Sequence, residues 1–193
     1  MGVVTTSSEQ VSGFPLVLPR GRPLVHADLE ATPDDGHRYE LVDGTLIVSP
    51  APRRLHQRAV VQLVMLLSEG CPDHLEVLVA PFDVTLAEDT VLQPDVLVCR
   101  RADLSDRDLP AAPVLAVEVL SPSTRRIDLT LKRSRFEAAG CQSYWAVDPD
   151  EPSITAWQLH KGEYVEVAHV TGEDTLSISD PYPVTIRPNE LVR

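Results

Sequence analysis

Residues 114–120 have the sequence Val-Leu-Ala-Val-Glu-Val-Leu, and residues 121–124 continue it with Ser-Pro-Ser-Thr. A run that is apolar at all positions but one predicts a central strand that is buried on both faces. The hydroxyl residues and Pro122 are typical of a helix start, because hydroxyl oxygens accept hydrogen bonds from free N–H groups and proline fits the first turn. We therefore expect a helix that ends near Gly140 and then a strand at 143–148, which together form a parallel strand–helix–strand unit.

The segments around this unit show further strand and helix patterns. They are a short helix at 26–31, a hairpin at 39–48 that turns at Asp43-Gly44, a helix at 54–69, strands at 75–86 and 91–99, a charged loop at 100–112, a hairpin at 154–170 and one short strand before residue 186. This order predicts an α/β protein with a mixed central β-sheet flanked by helices and with extra β-hairpins. Residues 1–23 show no periodicity, and we expect a weakly ordered lead-in there, followed by a single domain over 24–193.

The composition excludes several classes of protein. The chain has 193 residues, of which 43% are hydrophobic and 24% are charged, and this is ordinary for one globular domain. No apolar run approaches the roughly 18 residues of a membrane-spanning helix, and the first ten residues lack the pattern of a signal peptide. The odd, widely spaced cysteines Cys71, Cys99 and Cys141 predict packed thiols rather than disulfides or a zinc site. We therefore expect a cytoplasmic protein with no membrane partner.

The net charge of -12 argues against a basic protein that coats DNA, because affinity for phosphates comes mainly from Lys and Arg. The charge is unevenly spread, however, since residues 53–135 hold 11 of the 17 basic residues and both ends of the chain are acidic. A local anion-binding face in this middle part therefore stays open. The arginines of the helix after the central strand either face a phosphate backbone or form a solvated helix face; they are Arg125, Arg126, Arg133 and Arg135.

Two acids stand in apolar surroundings. Glu118 interrupts the central strand, and Asp95 lies in the sequence Gln-Pro-Asp-Val-Leu-Val at 93–98. A buried, ionised carboxylate is costly unless a cation or hydrogen-bond donors compensate it. Taken singly, Glu118 is equally consistent with a side chain that reaches water or an arginine, and Asp95 with an acid that caps a turn. Taken together on neighbouring strands, they are typical of a clasp for Mg²⁺ or Mn²⁺, with the carbonyl of Val119 as a third ligand.

Three further residues are candidates, and each has a structural alternative. Lys132 stands four residues after Asp128, so the two predict either an ordinary surface ion pair or a lysine that reaches the site to offset negative charge or orient a water. Glu40 is either a third carboxylate of the site or an exposed strand residue. His56, near the start of a helix, either contacts anions and exchanges a proton or is structural.

Taken in chain order, these motifs are similar to those of a known family. They are Tyr-Glu-Leu-Val-Asp-Gly at 39–44, Gln-Pro-Asp-Val at 93–96, Val-Glu-Val-Leu-Ser-Pro-Ser-Thr at 117–124, Asp128 with Lys132, and Tyr-Trp-Ala-Val-Asp-Pro at 144–149. Over about residues 24–170 the chain resembles the Uma family of putative restriction-endonuclease-like proteins, a branch of the PD-(D/E)XK nuclease superfamily. The resemblance implies a restriction-endonuclease-like core with a divalent-metal site. It also implies that Asp95 is the motif aspartate, Glu118 the motif acid and Glu40 the upstream acid.

The resemblance further implies a metal-dependent nuclease that hydrolyses phosphodiester bonds in DNA. Asp95, Glu118 and the Val119 carbonyl would hold Mg²⁺ or Mn²⁺, and Glu40, His56 and Lys132 would assist. The superfamily usually has a lysine two residues after the motif acid, where this chain has Leu120, and Lys132 would substitute for it. Two alternatives stay open. One is a catalytically weak or inactive module of the same fold that acts through nucleic-acid or protein contacts, and the other is an interaction protein that forms a homodimer through the hairpin at 154–170.

Overall fold

The computed structural model describes residues 18, 19 and 21–193. Most of the expected N-terminal lead-in lies outside these described residues, so the division into 1–23 and 24–193 stays a prediction. The helices are α1 (His26–Leu29), α2 (Arg54–Glu69), α3 (Arg125–Ile127) and α4 (Arg133–Ala138), with a π-helical turn at Asp128–Lys132 between the last two and 3₁₀ turns at Arg101–Asp103 and Pro188–Leu191. Because α3, the π-helical turn and α4 follow one another without a break, we refer to them as the 125–138 helix.

The strands form a larger sheet, a smaller sheet and a short hairpin. In chain order they are β1 (Arg38–Val42), β2 (Thr45–Ser49), β3 (Leu75–Val79), β4 (Asp83–Ala87), β5 (Thr90–Leu92), β6 (Val96–Arg100), β7 (Asp108–Leu109), β8 (Leu115–Val119), β9 (Ser143–Asp148), β10 (Ser153–His160), β11 (Glu163–Thr171), β12 (Leu176–Ile178) and β13 (Val184–Ile186). The larger sheet has the order β11-β10-β9-β8-β6-β3, the smaller sheet has the order β2-β1-β5-β4-β7, and β12 pairs with β13.

Strand β8 is the centre of the larger sheet, as the sequence predicts. All five of its residues are buried, and it lies between β6 and β9. The pairing with β9 is parallel and the pairing with β6 is antiparallel, which makes the sheet mixed. The predicted mixed α/β fold and the parallel strand–helix–strand unit are therefore confirmed.

The two faces of the larger sheet are covered differently. On one face, α2 packs its apolar stripe, including Leu63 and Leu67, against Val117 of β8. On the other face, Ala116 packs with Phe136 of the 125–138 helix and with Leu92 of the smaller sheet. Because side chains alternate along a strand, Glu118 shares this second face, beneath the 125–138 helix and the smaller sheet.

The predicted strands at 75–86 and 91–99 are each divided in two, so the prediction of continuous strands is wrong there. The first divides near Pro81 and the second at Gln93-Pro94. Strands β3 and β6 belong to the larger sheet, whereas β4 and β5 belong to the smaller one, so the chain changes sheet at each break. Proline supplies no N–H for the strand ladder, which favours a break at these places. Asp95 therefore precedes β6 and does not lie within a strand.

Three smaller differences concern short elements. The loop at 100–112 contains a 3₁₀ turn and the two-residue strand β7, and the C-terminal part has the two strands β12 and β13 where one was expected. The helix after β8 begins at Arg125, three residues later than the Pro122 signal suggests. Ser121 still contributes, since its Oγ accepts a hydrogen bond from the N–H of Thr124 at 3.3 Å. Elements this short bury too few side chains to leave a periodic pattern in the sequence.

Two of the three cysteines belong to the core. Cys99 and Cys141 are buried, which confirms them as packed thiols, whereas Cys71 is half-buried. Among the residues that the structure describes, no helix has both the length and the apolar character that crossing a bilayer requires.

The turn at Asp43-Gly44 gives a test of the hairpin. Both residues have positive φ angles, 50° and 71°, and a Cβ on Gly44 would lie 2.4 Å from the Cβ of Pro23. Lys161-Gly162 is a matched turn, with φ angles of 54° and 89° and open space around Gly162. We expect Gly162→Ala to lower the free energy of unfolding by about 1–2 kcal/mol through its φ angle alone. Gly44→Ala should cost roughly 1 kcal/mol more because Pro23 must shift. Equal losses in urea unfolding would contradict the close contact with Pro23.

Candidate functional site

A group of charged side chains is buried where the larger sheet, the smaller sheet and the 125–138 helix meet. Four of its members are acids, two are fixed cations and one is a histidine, and nearly all are shielded from solvent. We call the buried charge cluster the set of Arg38, Glu40, His56, Asp95, Glu118, Asp128 and Lys132. It includes every side chain that the sequence singled out for the site, together with Arg38 and Asp128.

Asp95 and Glu118 lie on one face of the larger sheet. In the antiparallel pairing of β6 with β8, Val96 stands opposite Val117, and continuing this register by one residue places Asp95 opposite Glu118. Residues opposite each other in an antiparallel pair direct their side chains to the same face. The N–H of Val119 donates a 2.8 Å hydrogen bond to Asp95 Oδ2, which holds the Asp95 carboxylate against the end of β8.

Lys132 is the cation at the centre of the cluster. Its Nζ lies 2.8 Å from Glu40 Oε1, 3.1 Å from Glu118 Oε1 and 3.6 Å from Asp128 Oδ1. The interpretation of Asp128 and Lys132 as a surface ion pair is therefore wrong, and so is that of Glu40 as an exposed strand residue. The reason is tertiary: the smaller sheet covers the helix face that carries Lys132, so the ammonium group points into the interior.

The π-helical turn that carries Lys132 is braced from the sheet. The hydroxyl of Tyr144 on β9 donates a 2.8 Å hydrogen bond to the carbonyl of Asp128, and the N–H of Arg133 bonds to the same carbonyl. Turns of this kind inside α-helices are frequent at functional sites. Here the turn has both of its charged residues, Asp128 and Lys132, buried.

Arg38 is a member of the cluster that the sequence analysis missed. Its Nη1 donates a 2.7 Å hydrogen bond to Asp95 Oδ1, and its Nε lies 3.6 Å from Glu40 Oε2. The available signal was the spacing of two residues between Arg38 and Glu40, which places both on one face of β1. That signal has no meaning until the partner of this face is known.

His56 reaches the cluster from α2. Its Nε2 lies 3.1 Å from Asp95 Oδ2, and because a carboxylate only accepts, Nε2 is the donor. Among the described residues, its Nδ1 has no hydrogen-bond partner. His56 and Val119 thus occupy the same oxygen of Asp95.

The acids of the cluster have different proton affinities. Burial tends to raise the pKa of Asp95, but the hydrogen bond from His56 and the charge of Arg38 outweigh it, and the pKa lies below its ordinary value. Burial raises the pKa of Glu118 well above its ordinary value, although Lys132 opposes the shift. Burial opposes the charge of Lys132 as well, yet Glu118, Glu40 and Asp128 outweigh it and raise the pKa of the ammonium group. Asp95 and Lys132 are therefore charged at neutral pH.

The cluster has the charge and the donor atoms that suit a divalent cation. Four carboxylates face only two fixed positive charges, those of Arg38 and Lys132, and Glu118 Oε2 is buried without a hydrogen-bond partner among the described residues. Carboxylate oxygens are the ligands that Mg²⁺ and Mn²⁺ prefer. Within residues 18, 19 and 21–193, no three His, Cys, Asp or Glu side chains surround a common point. A bound ion would therefore need the Val119 carbonyl and water to complete its coordination.

A cleft of about 960 Å³ gives access to one side of the cluster. Asp95, Arg38 and His56 line it, together with the loop at 121–124. Lys132 and Glu118 lie beneath this lining and are fully buried. A substrate in the cleft would therefore meet Asp95 and its partners first.

The arginines of the 125–138 helix are mostly engaged within the protein. Arg125 pairs with Asp148, Arg135 pairs with Asp43, and the Arg133 guanidinium lies 4.8 Å from the ring centre of Trp157. Arg126 is exposed and has no ion-pair partner among the described residues. Among the described residues, Arg126 and Arg133 have no ion-pair partner, and contact of these arginines with a phosphate backbone stays a prediction.

Comparisons with known proteins agree with this architecture. The family model of Uma2, described as "Putative restriction endonuclease", matches residues 26–188. A crystal structure of a "putative nuclease belonging to DUF820" from Anabaena variabilis ATCC 29413 has a TM-score of 0.72 with this chain. The two chains are 18% identical, and the match covers 88% of this chain and 98% of that one, so the likeness is one of fold. The search of curated proteins gave no significant match.

The role of Lys132 in the cluster can be tested by its removal. We expect Lys132→Met to lower the free energy of unfolding by about 3–5 kcal/mol, because three buried acids lose their shared cation. Arg126→Met, on the exposed side of the same helix, is the matched control and should change it by less than about 0.5 kcal/mol. Urea unfolding followed by tryptophan fluorescence measures both. Similar small changes in the two variants would show that Lys132 does not neutralise the cluster.

Proposed function

This chain belongs to the Uma2 family of restriction-endonuclease-like proteins, and from that membership we propose that it is a metal-dependent nuclease that hydrolyses phosphodiester bonds in DNA. The observation that carries the proposal is the placement of Asp95 and Glu118 on one sheet face, with Lys132 beside Glu118 and with a Glu118 oxygen that no described residue hydrogen-bonds. Asp95 lines the cleft, and Glu118 and Lys132 lie beneath it, which is a set of groups that metal-assisted hydrolysis of a phosphodiester can use.

Three ligands are proposed for a divalent cation, Mg²⁺ or Mn²⁺. They are the carboxylates of Asp95 and Glu118 and the carbonyl of Val119, with the carboxylate of Glu40 close by. When bound, such an ion lowers the pKa of a coordinated water and offsets the negative charge that builds up on the phosphate. Asp95 is already ionised and needs to lose no proton to act as a ligand.

Lys132 and His56 act from opposite sides of the two acids. Lys132 bonds to Glu118 Oε1 and Glu40 Oε1, so it fixes both carboxylates and holds a positive charge behind them. In this proposal it replaces the lysine that the superfamily usually has at the position of Leu120. His56 orients Asp95 and lines the cleft, where an imidazole can contact a phosphate oxygen.

Cleavage of plasmid DNA tests the proposal. The wild-type protein should cleave in the presence of Mg²⁺ or Mn²⁺ and not in the presence of EDTA. Asp95→Asn and Glu118→Gln should lower the rate at least about 100-fold, because each removes a charged ligand. The matched controls Asp174→Asn and Glu69→Gln change exposed acids outside the cluster and should cleave at the wild-type rate. Absence of cleavage by the wild type, or equal cleavage by Asp95→Asn, would end the proposal.

A second candidate is a binding module of the same fold with little or no activity. The observation that favours it is that Asp95 and Glu118 already pair with Arg38 and Lys132. Calorimetry with Mn²⁺ separates the two candidates. The nuclease requires a saturable site that is lost in Glu118→Gln, and the inactive module requires none.

We also propose a homodimer that uses the β10–β11 hairpin. Strand β11 is an edge of the larger sheet, and its Val165 and Val167 are about half exposed. Light scattering should give twice the chain mass, and Val165→Lys should reduce it to that of one chain. Val48→Lys is the matched control, because Val48 is equally exposed on β2, the edge of the smaller sheet. A monomer at high protein concentration would contradict the homodimer.

A cytoplasmic location is the last part of the proposal. It rests on Cys99 and Cys141, which are buried as free thiols, since such thiols are usual in reducing compartments.

A further inference from the structure

We propose that Arg38 holds the metal-binding oxygen of Asp95 in the metal-free protein and competes with the divalent cation for it. The inference rests on the proposed function, because it takes Asp95 to be a metal ligand. It concerns how the site is loaded, and it gives a role to a residue that the sequence motifs do not single out.

The hydrogen bonds of Asp95 show which of its two oxygens is available to a metal ion. Oδ2 accepts from the N–H of Val119 at 2.8 Å and from His56 at 3.1 Å. Oδ1 accepts from Arg38 Nη1 at 2.7 Å, and no other described residue donates to it. Oδ2 is thus occupied by donors that belong to the scaffold, and Oδ1 is the oxygen left for a metal. Arg38 is bound to that oxygen.

Of the two fixed cations in the cluster, Arg38 is the one that can be displaced. Its side chain is 19% exposed and lines the cleft, whereas the Lys132 side chain is 1% exposed and faces three acids. The other contacts of Arg38 are longer, at 3.2 Å to the carbonyl of Gln93 and 3.6 Å to Glu40. A turn of the guanidinium into the cleft therefore breaks the hydrogen bonds to Asp95 and to the Gln93 carbonyl and regains contact with water.

Electrostatic repulsion prevents Arg38 and the divalent cation from binding Asp95 Oδ1 at the same time. A guanidinium and a divalent cation on the same carboxylate oxygen repel each other strongly in a site of low effective dielectric constant. Arg38 must therefore leave Oδ1 for Asp95 to bind the ion there. Once turned into the cleft, the guanidinium is free to pair with an anion such as a phosphate. Binding of the divalent cation and release of Arg38 from Asp95 therefore occur together.

Calorimetric titration with Mn²⁺ tests the competition. Arg38→Gln should bind Mn²⁺ at least about tenfold more tightly than the wild type, because the competing charge is gone. Arg38→Lys keeps the charge but loses the guanidinium geometry that places Nη1 on Asp95 Oδ1, and it should bind a few-fold more tightly. Arg101→Gln is the matched control: it breaks the 2.6 Å ion pair with Glu76 at the far end of β6 and should bind Mn²⁺ like the wild type.

Thermal unfolding provides a second measurement on the same variants. Without metal, Arg38→Gln should unfold at a lower temperature than the wild type, because a buried carboxylate loses its cation. Added Mn²⁺ should raise its unfolding temperature more than that of the wild type, since tighter binding to the native state stabilises it more. A residue with only a structural role would not produce this larger metal response.

The outcomes separate this inference from the proposed function. Wild-type binding of Mn²⁺ with equal or weaker binding by Arg38→Gln overturns the inference and leaves the nuclease proposal intact. If Arg38→Gln does not fold, unchanged or weaker binding by Arg38→Lys has the same meaning. Absence of Mn²⁺ binding in all variants overturns both.

Discussion

The larger sheet, the smaller sheet and the 125–138 helix meet at one ammonium group. Lys132, on the 125–138 helix, bonds to Glu40 of the smaller sheet and to Glu118 of the larger sheet. Removing charged groups from water costs several kcal/mol each, so such a contact adds little net stability over an apolar one. It favours this arrangement, however, because displacing the helix from either sheet would leave a buried acid without its cation. The position of the helix against both sheets is therefore tied to the same residues that form the candidate site.

The charge cluster also explains why its acids behave differently. The carboxylate of Asp95 accepts hydrogen bonds from three donors, namely Arg38, His56 and the backbone N–H of Val119, and its pKa is lowered. Glu118 shares a single ammonium group with other acids, and burial raises its pKa. The Glu118 side of the cluster thus has more acids than cations, and Glu118 binds a proton more readily than Asp95 does. Asp95 and Arg38 line the cleft, so a cation that enters from there reaches Glu118 only past Arg38.

Much of the framework could be predicted because its signals are local. The helix at 54–69 agrees with α2 at both ends, since its apolar spacing is set by one face of one helix. The hairpin about Asp43-Gly44 and the buried strand β8 follow from turn chemistry and from an uninterrupted apolar run. The breaks near Pro81 and Pro94 had a visible signal in the prolines themselves, but a proline does not tell which sheet the next strand will join.

By itself, the sequence determined the central strand, the acids that interrupt the apolar segments and the family to which the chain belongs, because each depends on the type and order of neighbouring residues. Only the tertiary structure decided that Lys132 and Asp128 are buried, that Glu40 joins Glu118, and that Arg38 is bound to Asp95. These residues come from segments far apart in the chain. Their burial depends on which sheet covers which face, and no local pattern encodes that. The physical reason is that the charge of a side chain is a property of its residue, whereas its partner is a property of the packing.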